Sequence, residues 1–169
     1  MLRERLKELI HELDCIKYGR FKLASGKVSS YKIVCDPLFK NDEAREILGT
    51  LGSQLFQKIE DNDNYDIVGV ITGGYEFAEL IGKKTGREII GVNPHNNTVV
   101  GKLKHSNRFY SEDVTTTGES IIKCHNTLGS TQGSCYAIVI VDREEGSEDN
   151  LRNKGIKLKC LLTKKDLGI

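Results

Sequence analysis

The amino-acid sequence predicts an α/β protein in which a mostly parallel sheet carries helices on both faces. From residue 66 onwards, apolar runs of strand length alternate with stretches of helical spacing, which is the pattern of parallel strands joined by helices. The chain has 169 residues, the size of one domain. With 38% hydrophobic and 29% charged residues, its composition is typical of a globular protein with one hydrophobic core.

Two features precede the alternating part. Leucines and isoleucines at helical spacing predict an amphipathic helix over the first fourteen residues. Residues 19–34 show short alternating stretches around the turn at residues 25–27, which predicts two strands that form a flap. A further helix is predicted from the apolar repeat over residues 44–59, with Asn41 or Asp42 as its cap.

The remaining elements alternate between strand and helix. The predicted strands cover residues 67–72, 88–92, 108–111, 134–141 and 157–162, and the predicted helices cover residues 76–84, 119–128 and 147–153. A long loop, residues 93–107, separates the second and third of these strands. Ligands of such sheets bind at the carboxyl ends of the strands, so we expect the site in the loops that follow strands.

Charge and cysteine content exclude several classes of function. The 25 Lys and Arg residues nearly balance the 24 Asp and Glu residues, which predicts no nucleic-acid or membrane partner. The longest apolar runs fall far short of the roughly 20 residues of a membrane helix. The charged N-terminus is unlike a signal peptide, so we expect a cytoplasmic protein. Five cysteines without C-x-x-C spacing argue against a disulfide framework or a zinc site.

The segment RFYSEDVTTTGES, residues 108–120, carries the most informative chemistry. A strand delivers the acidic pair Glu112 and Asp113, and a turn that opens a helix follows. The turn offers backbone amides and hydroxyls to a phosphate, from Thr115, Thr116, Thr117, Gly118, Glu119 and Ser120. Because carboxylates repel phosphate, the ligand must also carry hydroxyls or a cation, as a sugar phosphate does. An ordinary N-cap at Thr116 or Thr117 is the alternative interpretation.

This segment closely resembles the phosphoribosyl-pyrophosphate (PRPP) motif of type I phosphoribosyltransferases. The resemblance implies the fold of that family, with an N-terminal helix and small hood over residues 1–40 and an α/β core over residues 41–169 of a single domain. It also implies roles: Glu112 and Asp113 would hold the ribose hydroxyls, and residues 115–120 would hold the 5-phosphate.

Three further segments resemble orotate phosphoribosyltransferases: GRFKLASGKVSSYKI at residues 19–33, DIVGVITGGYEFA at residues 66–78, and the C-terminal segment at residues 141–167. The resemblance implies transfer of the phosphoribosyl group from PRPP to orotate, giving orotidine 5-phosphate and pyrophosphate, in a homodimer with Mg²⁺ entering on PRPP rather than on a direct protein site. By the same resemblance, the orotate pocket would include Lys27, Tyr31 and Arg143, and the pyrophosphate loop would include Thr72, Gly73 and Gly74. Taken alone, the two glycines also suit a tight strand-to-helix turn.

The sequence departs from this family where positive charge is expected near pyrophosphate. Family basic residues align with Pro94, His95, Thr98 and Val100 in the long loop, and with Ala24 and Glu76 elsewhere. Later in the loop, Lys102 and His105 are the candidate catalytic replacements, together with Lys104. Two alternatives stay open: a regulatory protein that binds PRPP or a nucleotide monophosphate without turnover, and an enzyme that acts on a different base.

Overall fold

A computed structural model describes residues 1–23 and 26–169; the predicted turn residue Ser25 and the substituted position Ala24 lie outside this part. The helices are α1 (Leu2–Glu12), α2 (Asp36–Phe39), α3 (Asp42–Gln57), α4 (Gly73–Thr85), α5 (Glu119–Leu128) and α6 (Ser147–Arg152). The strands are β1 (Ile16–Lys22), β2 (Val28–Ile33), β3 (Tyr65–Val70), β4 (Ile89–Val92), β5 (Val99–Val100), β6 (Asn107–Thr115), β7 (Cys135–Asp142) and β8 (Ile156–Thr163). None of the helices in these ranges is long and apolar enough to cross a membrane.

Six strands form the central sheet, in the order β5-β4-β3-β6-β7-β8. All pairs are parallel except β4 with β5. Side chains alternate between two hydrophobic clusters: Ile67 and Phe109 pack on the face covered by α1, α3 and α4, and Val68 and Tyr110 pack on the face covered by α5 and α6. This confirms the predicted α/β class, because a strand with period-two side chains can be buried on both sides only between two helix layers.

The predicted flap is present as a separate antiparallel pair, β1 with β2, which we call the hood. Its register runs from Ile16 opposite Ile33 to Lys22 opposite Val28. Among the two predicted caps of α3, Asn41 is the one that acts, since its Oδ1 accepts a hydrogen bond from the amide of Ala44 at 2.9 Å.

Two boundaries at the site differ from the sequence prediction. Strand β6 continues past Ser111 through the acidic pair to Thr115, because these residues pair with β7 from Glu112 opposite Val139 to Thr115 opposite Asp142. Helix α4 begins at Gly73, three residues earlier than predicted. In both cases the residues carry no apolar periodicity, so only tertiary pairing reveals their structure.

Candidate active site

A cleft lies where the loop after β6 faces the hood, at the carboxyl ends of the strands. Its volume is about 230 Å³. Its lining residues are Leu23, Lys32, Ile33, Pro94, His95, Glu112, Val114, Thr115, Thr116, Thr117, Gly118, Glu119, Ser120, Lys123 and Arg143. The whole predicted phosphate turn therefore faces one cavity, as the position rule for parallel sheets requires.

The turn from Thr115 to Ser120 leads directly into α5. Gly118 caps the helix with φ of +82°, in the left-handed region, and a Cβ there would collide with Leu151. Within the described residues, the backbone amides of Thr116, Thr117 and Gly118 donate to no protein acceptor. Free amide donors and the positive end of a helix dipole are the features that favour the binding of an anion.

Glu112 of the acidic pair lines the cleft, and Asp113 follows it on β6, beside Gly73 at the start of α4. Glu112 is 7% exposed, and its Oε1 accepts a hydrogen bond from the amide of Asp113 at 3.0 Å. Burial, followed by the charge of Asp113, raises the pKa of the Glu112 carboxyl well above its ordinary value. Asp113 is only half-buried, and its Oδ1 accepts from the amide of Val114 at 2.8 Å. The pair thus combines one buried carboxyl, whose pKa is raised, with one that is half-buried.

The start of α4 packs directly on this acidic pair. A Cβ on Gly73 would collide with the Asp113 carboxylate, and one on Gly74 would collide with the carbonyl oxygen of Ser111. The two glycines are therefore required for the close approach of α4 to β6, whatever their amides bind. Thr72, just before the helix, lines a neighbouring hollow of about 560 Å³ with Asp36, Lys40, Ile71, Tyr75, Glu76 and Val100.

Arg143 closes the cleft on the side of the hood. It is 3% exposed, and its Nη2 donates to Ser29 Oγ at 3.0 Å. The same nitrogen lies 3.1 Å from Glu145 Oε1, and the guanidinium carbon lies 4.1 Å from the centre of the Tyr31 ring. A buried cation beside a phosphate turn can orient a second anionic group of the same ligand.

Comparison with known proteins finds relatives that match nearly the whole chain. The orotate phosphoribosyltransferase of Methanococcus maripaludis is 31% identical over 99% of this chain and 95% of its own length. That of Methanocaldococcus jannaschii is 32% identical over 98% and 96%. The chain belongs to the orotate phosphoribosyltransferase family. No protein-family model matches the chain.

Solved structures of orotate phosphoribosyltransferases share the fold. The Aeropyrum pernix enzyme superposes with a TM-score of 0.77 at 26% identity, covering 96% of both chains. The Mycobacterium tuberculosis enzyme in complex with PRPP superposes with a TM-score of 0.76 at 22% identity over both full chains. The predicted type I phosphoribosyltransferase fold is thereby confirmed.

Two residues that the family resemblance placed in the base pocket do not line this cleft. The side chain of Lys27 is exposed to solvent. Tyr31 is buried against Arg143, and its hydroxyl has no hydrogen-bond partner in the part of the chain described. In this structure, Tyr31 packs against Arg143 rather than lining the cavity.

Lys102 and His105 lie at the opposite end of the sheet from the cleft. Strand β5 runs antiparallel to β4 and carries the chain back towards the amino ends of the strands. There Lys102 and His105 share a hollow with Tyr65 at the start of β3, and Asp66 Oδ2 accepts the amide of His105 at 2.8 Å. Within one chain, the structure does not bring these candidate catalytic residues to the phosphate turn.

Two charged cleft residues, Lys32 and Lys123, were not assigned to the site from the sequence, whereas His95 was one of the two histidines kept as candidates there. Lys32 on β2 and Lys123 on α5 bring positive charge, and His95 lies beside Pro94 at the carboxyl end of β4. Lys123 also pairs with Glu119, one helical turn earlier, at 3.3 Å. Lys123 was detectable in principle, because a residue four positions after Glu119 lies on the same helix face. Lys32 has no local signal and comes to the cleft only through the tertiary fold.

Proposed function

We propose that this chain transfers the 5-phosphoribosyl group from PRPP to orotate, giving orotidine 5-phosphate and pyrophosphate. One observation carries the proposal: the turn at residues 115–120, Glu112 of the acidic pair and the buried Arg143 line a single cleft, and Asp113 follows Glu112 on the same strand. A phosphate site, acceptors for hydroxyls and a cation for a carboxylate match the three chemical parts of orotidine 5-phosphate. The relatives named orotate phosphoribosyltransferase support the same reaction.

In this proposal each group acts on the part of the ligand that its chemistry fits. The free amides of Thr116, Thr117 and Gly118 bind the 5-phosphate, assisted by the charge of Lys123. Asp113, with Glu112 beside it, accepts hydrogen bonds from the ribose hydroxyls. As the bond to pyrophosphate breaks, positive charge grows at C1 of the ribose, and a nearby carboxylate stabilises it.

We expect a Mg²⁺ ion to accompany PRPP. Among the described residues, no group of three or more His, Cys, Asp or Glu side chains forms a metal site. We expect the oxygens of the substrate to supply most of the ion's ligands, with Asp113 as the adjacent protein carboxylate. When bound, the ion would neutralise negative charge on the leaving pyrophosphate.

The homodimer and the cytoplasmic location stay predictions. Exposed apolar side chains on the hood, Tyr18 and Val28, and on β5, Val99 and Val100, support self-association of the chain.

One observation favours a second candidate function, a regulatory protein that binds the sugar phosphate without turnover. The hollow beside Thr72, where pyrophosphate would leave, contains the carboxylates Asp36 and Glu76 and, among the described residues, a single cation, Lys40. Burial, and then the charge of Asp36, raises the pKa of Glu76. Loss of one electrostatic donor at a leaving group costs about a hundredfold or more in rate.

Orotate consumption, followed by ultraviolet absorbance with PRPP and Mg²⁺, tests the proposal. We expect turnover by the natural chain, and Asp113→Asn should reduce it by about a hundredfold because one hydroxyl acceptor loses its charge. The matched control is Asp149→Asn, an exposed residue of α6 that lies outside the cleft; it should keep full activity. If PRPP binds and orotate is not consumed, the second candidate replaces the first.

A further inference from the structure

Arg143 is held from both the hood and its own loop, and one nitrogen makes both contacts. Nη2 donates to Ser29 Oγ at 3.0 Å and lies 3.1 Å from the carboxylate of Glu145. Nε is buried and has no hydrogen-bond partner within residues 1–23 and 26–169. The Tyr31 ring packs on the guanidinium at 4.1 Å. The guanidinium is therefore fixed on one edge, and Nη1 is the nitrogen left to face the cleft.

The contact with Ser29 joins distant parts of the chain. Ser29 belongs to β2 in the hood, and Arg143 follows β7 in the central sheet, 114 positions later. Without this hydrogen bond, Arg143 would be held only by the packing of Tyr31 and the ion pair with Glu145. Any further ordering of the guanidinium when the ligand binds would cost conformational entropy. A site that is ordered beforehand binds more tightly.

We infer that Ser29 is a positioning residue for recognition of the acceptor's carboxylate. It holds Nη2 of Arg143, so that Nη1 alone donates a hydrogen bond to that carboxylate and the contact is made by one nitrogen rather than two. This inference rests on the proposed function, since it takes a pyrimidine with a carboxylate as the acceptor. It makes the hood part of substrate selection, because Ser29 belongs to β2 of the hood.

The test compares two nucleotides that differ only in the carboxylate. Calorimetric titration measures the affinities of orotidine 5-phosphate and uridine 5-monophosphate for the natural chain, Ser29→Ala and Ser29→Thr. A control, Ser30→Ala, changes the next residue, whose side chain is exposed. We expect Ser29→Ala to lower the affinity for orotidine 5-phosphate about tenfold, because a hydrogen bond to a charged group is lost. The affinity of Ser29→Ala for uridine 5-monophosphate should stay within about twofold of the affinity of the natural chain, since this nucleotide has no carboxylate to contact Arg143.

The outcomes separate the inference from the proposed function. Ser29→Thr keeps the hydroxyl and should restore the preference for orotidine 5-phosphate, and Ser30→Ala should not alter it. If the natural chain prefers orotidine 5-phosphate and Ser29→Ala keeps that preference, the inference is wrong and the proposed function stands. If the natural chain binds both nucleotides equally, no carboxylate is recognised, which overturns both. An equal loss for the two nucleotides in Ser29→Ala would indicate a general structural role and would also overturn the inference.

Discussion

Glu112 shows at the scale of one residue how the site and the stability of the fold oppose each other. Its carboxyl is buried beside Asp113, and burial and that neighbouring charge raise its pKa well above the ordinary value. In the unfolded chain, the same carboxyl ionises at its ordinary pKa. As the pH rises through that value, the unfolded state loses its proton first, so the wild type loses stability relative to a variant that cannot ionise.

We therefore predict that Glu112→Gln stabilises the protein at neutral pH. Gln keeps an oxygen that can accept from the Asp113 amide and removes the ionisable group. The variant should be more stable by about 1 kcal/mol or more at pH 7.5, which is roughly 2–4 °C in Tm for a chain of this size, and equal to wild type near pH 4. Thermal unfolding between pH 4 and 8 measures this. Glu60→Gln, an exposed acid, serves as control; a difference that does not change with pH would contradict the account.

The chemistry of single residues was only partly predictable from the sequence. Glu112, Asp113 and the Thr115–Ser120 turn could be found because an acidic pair and an amide-rich turn have a recognisable spacing. The burial of Glu112 could not be predicted, because it depends on the neighbouring strand β7. Nor could the positions of Lys32 and His95, whose approach to the cleft depends on how the hood and β4 meet the phosphate turn.

At the scale of elements, the contact between α4 and β6 sets the position of the acidic pair. Gly74→Ala would place a Cβ against the backbone oxygen of Ser111, which cannot move aside without shifting the strand. We expect this variant to lose about 1–3 kcal/mol of stability. Gly73→Ala would instead displace the Asp113 side chain, so we expect a smaller loss of Tm and about a tenfold or greater loss of affinity for orotidine 5-phosphate.

Thermal unfolding and calorimetric titration of the two variants check this prediction. The matched control is Gly49→Ala on α3, where a Cβ would meet the flexible side chain of Lys84 first. If Gly73→Ala binds the nucleotide as tightly as the natural chain, Asp113 does not contact the ribose from its present position.

The predicted elements followed the apolar pattern of the sequence and ended where that pattern ended. Strand β6 was predicted only to residue 111, because Glu112 and Asp113 have low strand propensity. Pairing with β7 on one side extends the strand to Thr115 and places both carboxylates at the edge of the sheet. Helix α4 was predicted to begin at residue 76, because Gly73 and Gly74 are weak helix formers.

At the scale of the whole molecule, β5 decides which basic residues reach the cleft. The alternation of strands and helices was enough to predict the parallel sheet. A two-residue strand, Val99–Val100, leaves no pattern, so the reversal of the chain after β4 could not be foreseen. The reversal keeps His95 at the carboxyl ends of the strands and carries His105 to the amino ends.

This topology predicts different effects for the two histidines. His95→Ala should lower the affinity for orotidine 5-phosphate by about threefold to tenfold, because a polar contact at the cleft is lost. His105→Ala should leave the affinity unchanged, since its neighbours are Asp66 and the amino end of β3. Calorimetric titration of both variants checks this. A large effect of His105→Ala would contradict a site built by one chain and indicate that a second copy supplies the residue.

The measurement that tests the central claim most directly is a titration of ¹⁵N-labelled protein with orotidine 5-phosphate, followed by the backbone amide resonances. The claim is that the sugar phosphate binds at the carboxyl edge of the sheet, on the turn between β6 and α5. We predict that the amides of residues 116–120 shift most, together with the side-chain Nε–H of Arg143, and that residues 102–105 stay unchanged. Shifts confined to residues 102–105 and their neighbours at the amino edge would contradict the account.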